Sequence, residues 1–344
     1  MEKQTIEKIK GASDSSNRGV NVYGTFVITQ CEYKPFKNKP GSYLQCSLSD
    51  KTGTVKAVVW EKAGALKTWL RNRMIVGIVG ECTRYNDRPQ IAISKITEET
   101  GNSEDFVPSL PEVRRADLVV YLKRVFNSIT NPTCRALWQS LVFDEVTGEP
   151  FRKCPGSSGG IHHGYIGGLM EHTTHMIELA QVVLAQTNLD LDLLLTGCLV
   201  HDIGKTRAYN WSIAIEMTDE GRLMHHSVLG YDILSHMPGL DRLDPLMMMK
   251  LKHICVSHHD RDPGAVCRPM FPEAVAVAML DNADAAVNGV LCFLKQPDVL
   301  ESGSNWTRYN KLTERSYFVP QVLPVGIEDP KVAPRDEHED DGVF

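Results

Sequence analysis

Leu193-Leu-Leu-Thr-Gly-Cys-Leu-Val-His-Asp-Ile-Gly-Lys205 is an almost wholly apolar helical run that stops abruptly on a histidine, an aspartate and, three residues later, a lysine. A helix this apolar is buried, and an adjacent His and Asp at its end are costly there unless something compensates the charge. A divalent cation does so, because neutral imidazole and ionised carboxylate are both ligands and the metal favours those protonation states. Lys205 reaches the same pocket if the helix persists through Gly204, and a lysine beside a metal-bound phosphate stabilises transition-state charge. Asp202 and Lys205 are therefore the candidate catalytic residues.

The pattern widens on both sides. Upstream, Leu169, His172, Met176, Leu179 and Val183 follow a 3.6-residue period, which places His172 on an apolar stripe and His175 toward Glu171 and Glu178 on the wetter side. Downstream come His225-His226, His258-His259, Asp281 and Asp284, with Asp281 inside the otherwise apolar Val275–Leu280 helix. Eleven of the twelve histidines lie between His162 and His259, a clustering that scattered surface or core histidines would not show. His172, His201, Asp202, His226, His258 and Asp281 are too many for one closed zinc site and suffice for two cations bridged by Asp202, which would activate water toward a phosphorus centre. No G-x-S-x-G elbow occurs and no Cys sits in a catalytic setting, so serine and cysteine nucleophiles are disfavoured.

The chain has 344 residues, 42% hydrophobic, 23% charged and 7% aromatic, which fits two domains or three small ones and excludes wholesale disorder, collagen and coiled coil. The reading finds no run approaching the roughly 20 apolar residues of a membrane span and no apolar signal core after Met1. Nine cysteines at irregular spacing, without a CxxC pair, read as reduced thiols, so a soluble cytoplasmic protein is expected, with no membrane partner.

Residues 1–98 carry 16 Lys/Arg against 9 Asp/Glu, whereas residues 327–344 carry 2 against 7. A basic first third on an acidic chain points to a polyanion-facing module. There, Leu44, Cys46 and Leu48, then Val55, Ala57 and Val59, alternate with outward residues between the turn signals Lys39-Pro40-Gly41, Asp50-Lys51-Thr52-Gly53 and Asn86-Asp87-Arg88-Pro89. Five or so strands in about 80 residues, with a helical stretch near Ala63–Leu70 after the third, predict an OB-fold-like barrel. In its first hairpin, Tyr33-Lys-Pro-Phe-Lys-Asn-Lys-Pro-Gly-Ser-Tyr43 interleaves Tyr33, Phe36 and Tyr43 with Lys34, Lys37 and Lys39, rings to stack on unpaired bases and lysines to follow the backbone.

The domain reading is an N-terminal extension 1–18, a barrel 19–98, a linker 99–113, an all-α domain 114–318 and a disordered acidic tail 319–344. Helices are expected at about 114–128, 132–143, 165–187, 190–203, 226–236, 244–258 and 272–294.

His172, His201-Asp202 with Ile203-Gly204-Lys205, and Asp281 resemble the signature of the HD phosphohydrolase superfamily. More narrowly, the chain resembles the YhaM-type 3′–5′ exoribonucleases, which join an OB-fold to an HD domain. The matching pieces are Leu48-Ser-Asp-Lys-Thr-Gly53 with Trp60, His162-His-Gly-Tyr-Ile-Gly-Gly-Leu169, Leu199–Lys205, Gly221-Arg-Leu-Met-His-His226, Ser257-His-His259 and Leu280-Asp-Asn-Ala-Asp-Ala285.

The resemblance implies that His172, His201, Asp202 and Asp281 hold one metal and that Asp202, His226 and His258, with His259, hold a second. It implies two Mn²⁺; the His-rich set also admits Fe or Zn and suits Mg less well. Lys205 would contact the scissile phosphate. His162 and His163 are candidates to face substrate, Asp284 to orient a ligand or a sugar, and Arg308 and Arg315 to touch phosphate. Asp260 stands where the family pattern leads us to expect Gly, and no HHExxDGxGYP run is present, which counts against cyclic-dinucleotide phosphodiesterases of that branch.

The function read from all this is a metal-dependent 3′–5′ exonuclease hydrolysing single-stranded RNA, and conceivably DNA, to nucleoside 5′-monophosphates, with homo-oligomerisation left open. The competing readings are an HD phosphohydrolase of free or cyclic nucleotides and a non-catalytic single-strand-binding protein.

Overall fold

The computed structural model describes residues 3–320 except 16–18, 37, 62, 87, 159–161, 238–243, 261–264, 297–298 and 302. Lys37 and nearly all of the expected tail, residues 321–344, lie outside the described residues.

The first half is α1 (Ile6–Ser15), β1 (Val20–Pro35), β2 (Ser42–Asp50), β3 (Gly53–Val59), α2 (Ala63–Leu66), β4 (Ile75–Tyr85) and β5 (Arg88–Glu98). The strands close a barrel in the order β1-β2-β3-β5-β4, all pairs antiparallel except β3 with β5. Alternation decides which side chains fill it: Leu44, Cys46, Leu48, Val55, Ala57 and Val59 are all buried in one core. β1 is 16 residues long and kinks at a bulge between Ile28 and Gln30, which lets one strand pair with β4 at its start and β2 at its end.

Residues 1–18, read as an extension, contribute to that barrel. Ile6 and Ile9 of α1 are fully buried in its core. Asp50 in the β2–β3 turn caps the helix: its Oδ2 accepts from Ile6 N at 2.8 Å, and its Oδ1 from Thr52 N at 2.7 Å and Thr52 Oγ1 at 2.6 Å.

The linker is also structured. It carries α3 (Ser103–Phe106), buries Phe106 and Val107, and donates Leu110 N to Ile166 O at 3.0 Å. Then follow α4 (Glu112–Phe126), α5 (Pro132–Trp138) running into a π-turn at Gln139–Phe143, α6 (Glu149–Lys153), α7 (Gly168–Leu184), α8 (Leu191–Val200) and α9 (Lys205–Ala208). A hairpin of β6 (Tyr209–Asn210) and β7 (Glu216–Met217) interrupts a domain read as wholly helical. It precedes α10 (Asp219–Met224), α11 (His226–Ser235), α12 (Pro245–Ser257) and α13 (Pro272–Leu294).

α8 is buried on every side, and Asp192 in its first turn anchors it by accepting from Thr130 N at 2.9 Å and Asn131 N at 2.7 Å. That fixes where the helix ends, at His201. By length and composition α13 could cross a membrane, a match the sequence reading passed over. Its Asp281 and Asp284 instead face histidines of α7, and two such carboxylates suit a buried polar site, not lipid. A second compact unit begins at Gly289 within α13, so the helical domain read as 114–318 is divided there. That unit is held by isolated bridges such as Leu300↔Thr307 and Asn310↔Arg315.

Candidate functional site

Four elements bring the histidines together: α7 carries His172, the end of α8 carries His201 and Asp202, α11 begins at His226, and α12 ends before His258. α13 adds Asp281. One ligand atom from each of His172, His201, Asp202 and Asp281 lies within 4.8 Å of the others, and the same holds for Asp202, His226 and His258. Asp202 belongs to both groups. Its Oδ2 is 3.3 Å from His201 Nε2 and 2.5 Å from Lys205 Nζ, while its Oδ1 is 3.2 Å from His226 Nε2 and 3.6 Å from His258 Nε2.

The hydrogen bonds decide how these rings are protonated. His201 Nδ1 donates to Cys198 O at 2.8 Å and His258 Nδ1 donates to Cys255 O at 2.9 Å, because a carbonyl only accepts. His258, kept neutral by burial, therefore turns the Nε2 lone pair toward Asp202 Oδ1 at 3.6 Å. Lone pair against lone pair in a buried site is repulsive, and His258 Nε2 and Asp202 Oδ1 have no hydrogen-bond partner. A cation shared among these atoms removes the conflict, so the residues fit a divalent metal site.

Burial alone would raise the Asp202 pKa, but the Lys205 charge foremost, then His201, holds the carboxyl far below its usual range. Burial pushes His226 down to about 4 and His258 well below its ordinary value, so both are neutral, as ligands must be. His172 differs. Burial pulls it down, yet its bonds to Asp281 and Asp284 prevail and hold it at about 9. A cation must therefore displace a proton at His172 Nε2. Below pH 9 each unit of acidification should weaken loading of the His172 group about tenfold, with one proton released for the cation bound there, none for the His226–His258 group, and the release vanishing above pH 9. Calorimetry in buffers of different ionisation enthalpy checks this.

His163 and His175 depart from their sequence readings, while Asp284 takes the ligand-orienting one of its two. Asp284 is buried and accepts from His172 Nδ1 at 2.6 Å, His163 Nε2 at 2.9 Å and His175 Nδ1 at 3.1 Å. It orients a ligand-bearing ring; it does not face a sugar. His163, only 3% exposed, is sealed beneath the loop before α7 and likewise does not face substrate. Its φ is 51°, and a Cβ on Gly168 would lie 2.0 Å from His163 O, which is why glycine leads into α7 there. His175 turns toward Asp284, away from its expected wet side, because Asp281 and Asp284 on α13 face His172 and His175 on α7 at matching three-residue spacing.

His162 does line the metal cleft of about 410 Å³, together with Lys205, Tyr209, Asp281 and Asn282. Burial first, then the Lys205 charge, holds His162 at about 4. Tyr209 and Asn282 were missed by sequence reading; Tyr209 lies one turn beyond Lys205, which was the available signal. His259 lines the cleft, its Nε2 3.0 Å from His226 Nε2, and it groups with His225 and His226 and also with His258 and Asp281, but not with Asp202. Asp260, in the position where Gly was expected, has φ 50°, the left-handed region that glycine enters freely and aspartate tolerates.

On the barrel, Phe36, Tyr43 and Trp60 form one half-exposed aromatic patch with ring centroids 5.4 Å (Phe36–Tyr43) and 5.0 Å (Tyr43–Trp60) apart, and Lys39 Nζ lies 4.3 Å over the Phe36 ring. Trp60 follows the inward residues of β3 and so points outward, a signal present in the sequence but not carried into the expected contact set. Tyr33 is corrected: alternation puts it on the same face as Cys31, packed against the barrel core, with its hydroxyl buried. Lys34 is paired with Glu32 at 3.2 Å. Arg308 and Arg315 lie in the second unit, where Arg308 Nη2 donates to Gln296 Oε1 at 2.7 Å and Arg315 Nε to Thr313 O at 3.0 Å.

A family model described as the HD domain matches residues 169–286, and one described as an OB-fold nucleic acid binding domain matches residues 27–99. The 3′–5′ exoribonuclease YhaM of Bacillus subtilis is 25% identical over 301 residues, covering 86% of this chain and 94% of that protein. The 3′–5′ exoribonuclease YhaM of Bacillus licheniformis is 26% identical over 302 residues with the same coverage.

Proposed function

We propose that this chain, which joins an OB-fold nucleic acid binding domain to an HD domain and is similar along 86% of its length to the YhaM exoribonucleases, is itself a metal-dependent 3′–5′ exonuclease of single-stranded RNA. The observation that carries this reading is the convergence of two ligand groups on Asp202, at the base of a cleft in a chain that also presents an aromatic, lysine-bearing barrel face. His172, His201, Asp202 and Asp281 would hold one cation, and Asp202, His226 and His258 another. Two Mn²⁺ are proposed; four imidazoles and two carboxylates also suit Fe or Zn. When bound, such cations neutralise charge on a phosphodiester and lower the pKa of water.

The chain's own residues do the rest. Lys205, kept charged because Asp202 and Asp281 outweigh its burial, sits at the cleft to meet a phosphate oxygen. His162, neutral at pH 7, offers a hydrogen bond to a substrate oxygen without adding charge. Nucleoside 5′-monophosphates are the proposed product, and the polarity comes from the relatives. Single-stranded DNA is a second proposed substrate, since stacking on Phe36, Tyr43 and Trp60 does not read the 2′-hydroxyl. All nine cysteines are free thiols, which supports a cytoplasmic site of action.

The test is a 5′-labelled single-stranded RNA incubated with Mn²⁺. A ladder shortening from the 3′ end supports the reading. An intact strand, with hydrolysis of free or cyclic nucleotides in a parallel panel, would replace it with small-molecule phosphohydrolysis.

Asp284 yields a separate expectation. Asp284→Asn keeps the volume but loses the anion that fixes the His172 ring, so metal affinity should fall about 10- to 100-fold. Titration of the metal-free protein measures this, and full activity should return at higher metal concentration.

A further inference from the structure

Tyr209 lines two clefts at once. One is the metal cleft; the other, of about 530 Å³, is walled by Tyr209, Trp211, Pro150, Glu149 and Lys153. Tyr209, in β6, and Trp211, just after it, both line the second cleft. Both rings are partly buried against the helical core. The hairpin is also tied to the barrel, because Glu216 of β7 pairs with Arg73 of the α2–β4 loop.

We propose that the Tyr209–Trp211 cleft is a stacking subsite for one unpaired nucleobase of the strand whose scissile phosphate lies at the metal cleft. The occupant is a base because the walls are aromatic and prolyl, the combination that stacks on a π-face, while Lys153, paired with Glu149 at 2.8 Å in the same wall, gives a polar edge without net charge. The opening exceeds a single base, which leaves room for purines and pyrimidines alike and predicts little sequence preference. This rests on the exonuclease reading, but only for which strand enters.

The experiment uses the full chain with chelator present, so that no turnover occurs, and short single-stranded RNAs carrying one abasic nucleotide at successive positions from the 3′ end. One position should cost binding about 5- to 150-fold, the equivalent of roughly 1–3 kcal/mol for one stacked base. In Trp211→Ala that same position should cost nothing, and Trp211→Phe, which still stacks, should restore most of the loss. Equal costs at that position in the parent chain and in Trp211→Ala would overturn the subsite. So would failure of Trp211→Phe to recover what Trp211→Ala loses, since Trp211 would then be only a packing residue. A strand that binds with the abasic pattern but is never shortened with Mn²⁺ would leave the subsite standing and refute the exonuclease reading instead.

Discussion

Asp202→Ala is expected to lower RNA hydrolysis by at least about a thousandfold and to remove bound metal from the purified chain. No other described residue places one oxygen against His201 and Lys205 and its other oxygen against His226 and His258. Without it, each ligand group loses its shared member, and Lys205 loses its nearest anion at 2.5 Å. The remaining ligands, His172, His201 and Asp281 on one side and His226 with His258 on the other, no longer share a carboxylate between the two groups. Metal per chain by mass spectrometry after gel filtration and a 5′-labelled strand on a gel check both halves. A variant that keeps its metal and its ladder would show that Asp202 does not bridge.

Gly204→Ala should be nearly as damaging, for a different reason. A Cβ at Gly204 would lie 1.9 Å from His226 O and 2.4 Å from Gly230 N, both backbone atoms of α11. Neither can rotate away as a side chain would, so α11 must move. His226 opens that helix and is a ligand of the second group, so its Nε2 moves with it. Overpacking ordinarily costs 1–3 kcal/mol, and a backbone clash belongs at or above the top of that range, about 3 kcal/mol. Thermal unfolding should show that loss in the metal-free chain, and metal titration should show weakened loading of the second group with the first largely kept. Equal loss at both would mean that Gly204 acts through α9 and Lys205.

Gly204 also marks where sequence reading stopped. In the sequence it reads as a possible break between His201 and Lys205. In the structure the chain turns there and still brings Lys205 Nζ to Asp202, because α9 starts at Lys205 itself and Gly204 lets α11 lie directly against the turn.

The barrel and the metal ligands were legible in the chain for one reason: each reports a period or a cost inside a single element. Leu44, Cys46, Leu48, Val55, Ala57 and Val59 alternate, so they must share a face and close a core. His172, Asp202 and Asp281 interrupt apolar helices, so they must be compensated. What no such rule reaches is where a side chain goes once it leaves its own element. The rings of His163 and His172 meet the Asp284 carboxylate from 121 and 112 residues away, and only those bonds separate residues that orient ligands from residues that face the cleft. The same holds for Tyr33, whose inward parity is set by the bulge between Ile28 and Gln30, and for Tyr209, carried to the metal cleft by a two-residue strand too short to read from pattern. The sequence by itself determined the two folds and the ligand types. The tertiary structure alone decided the roles, since a role depends on which atom faces which across helices, and helical period carries no information about that.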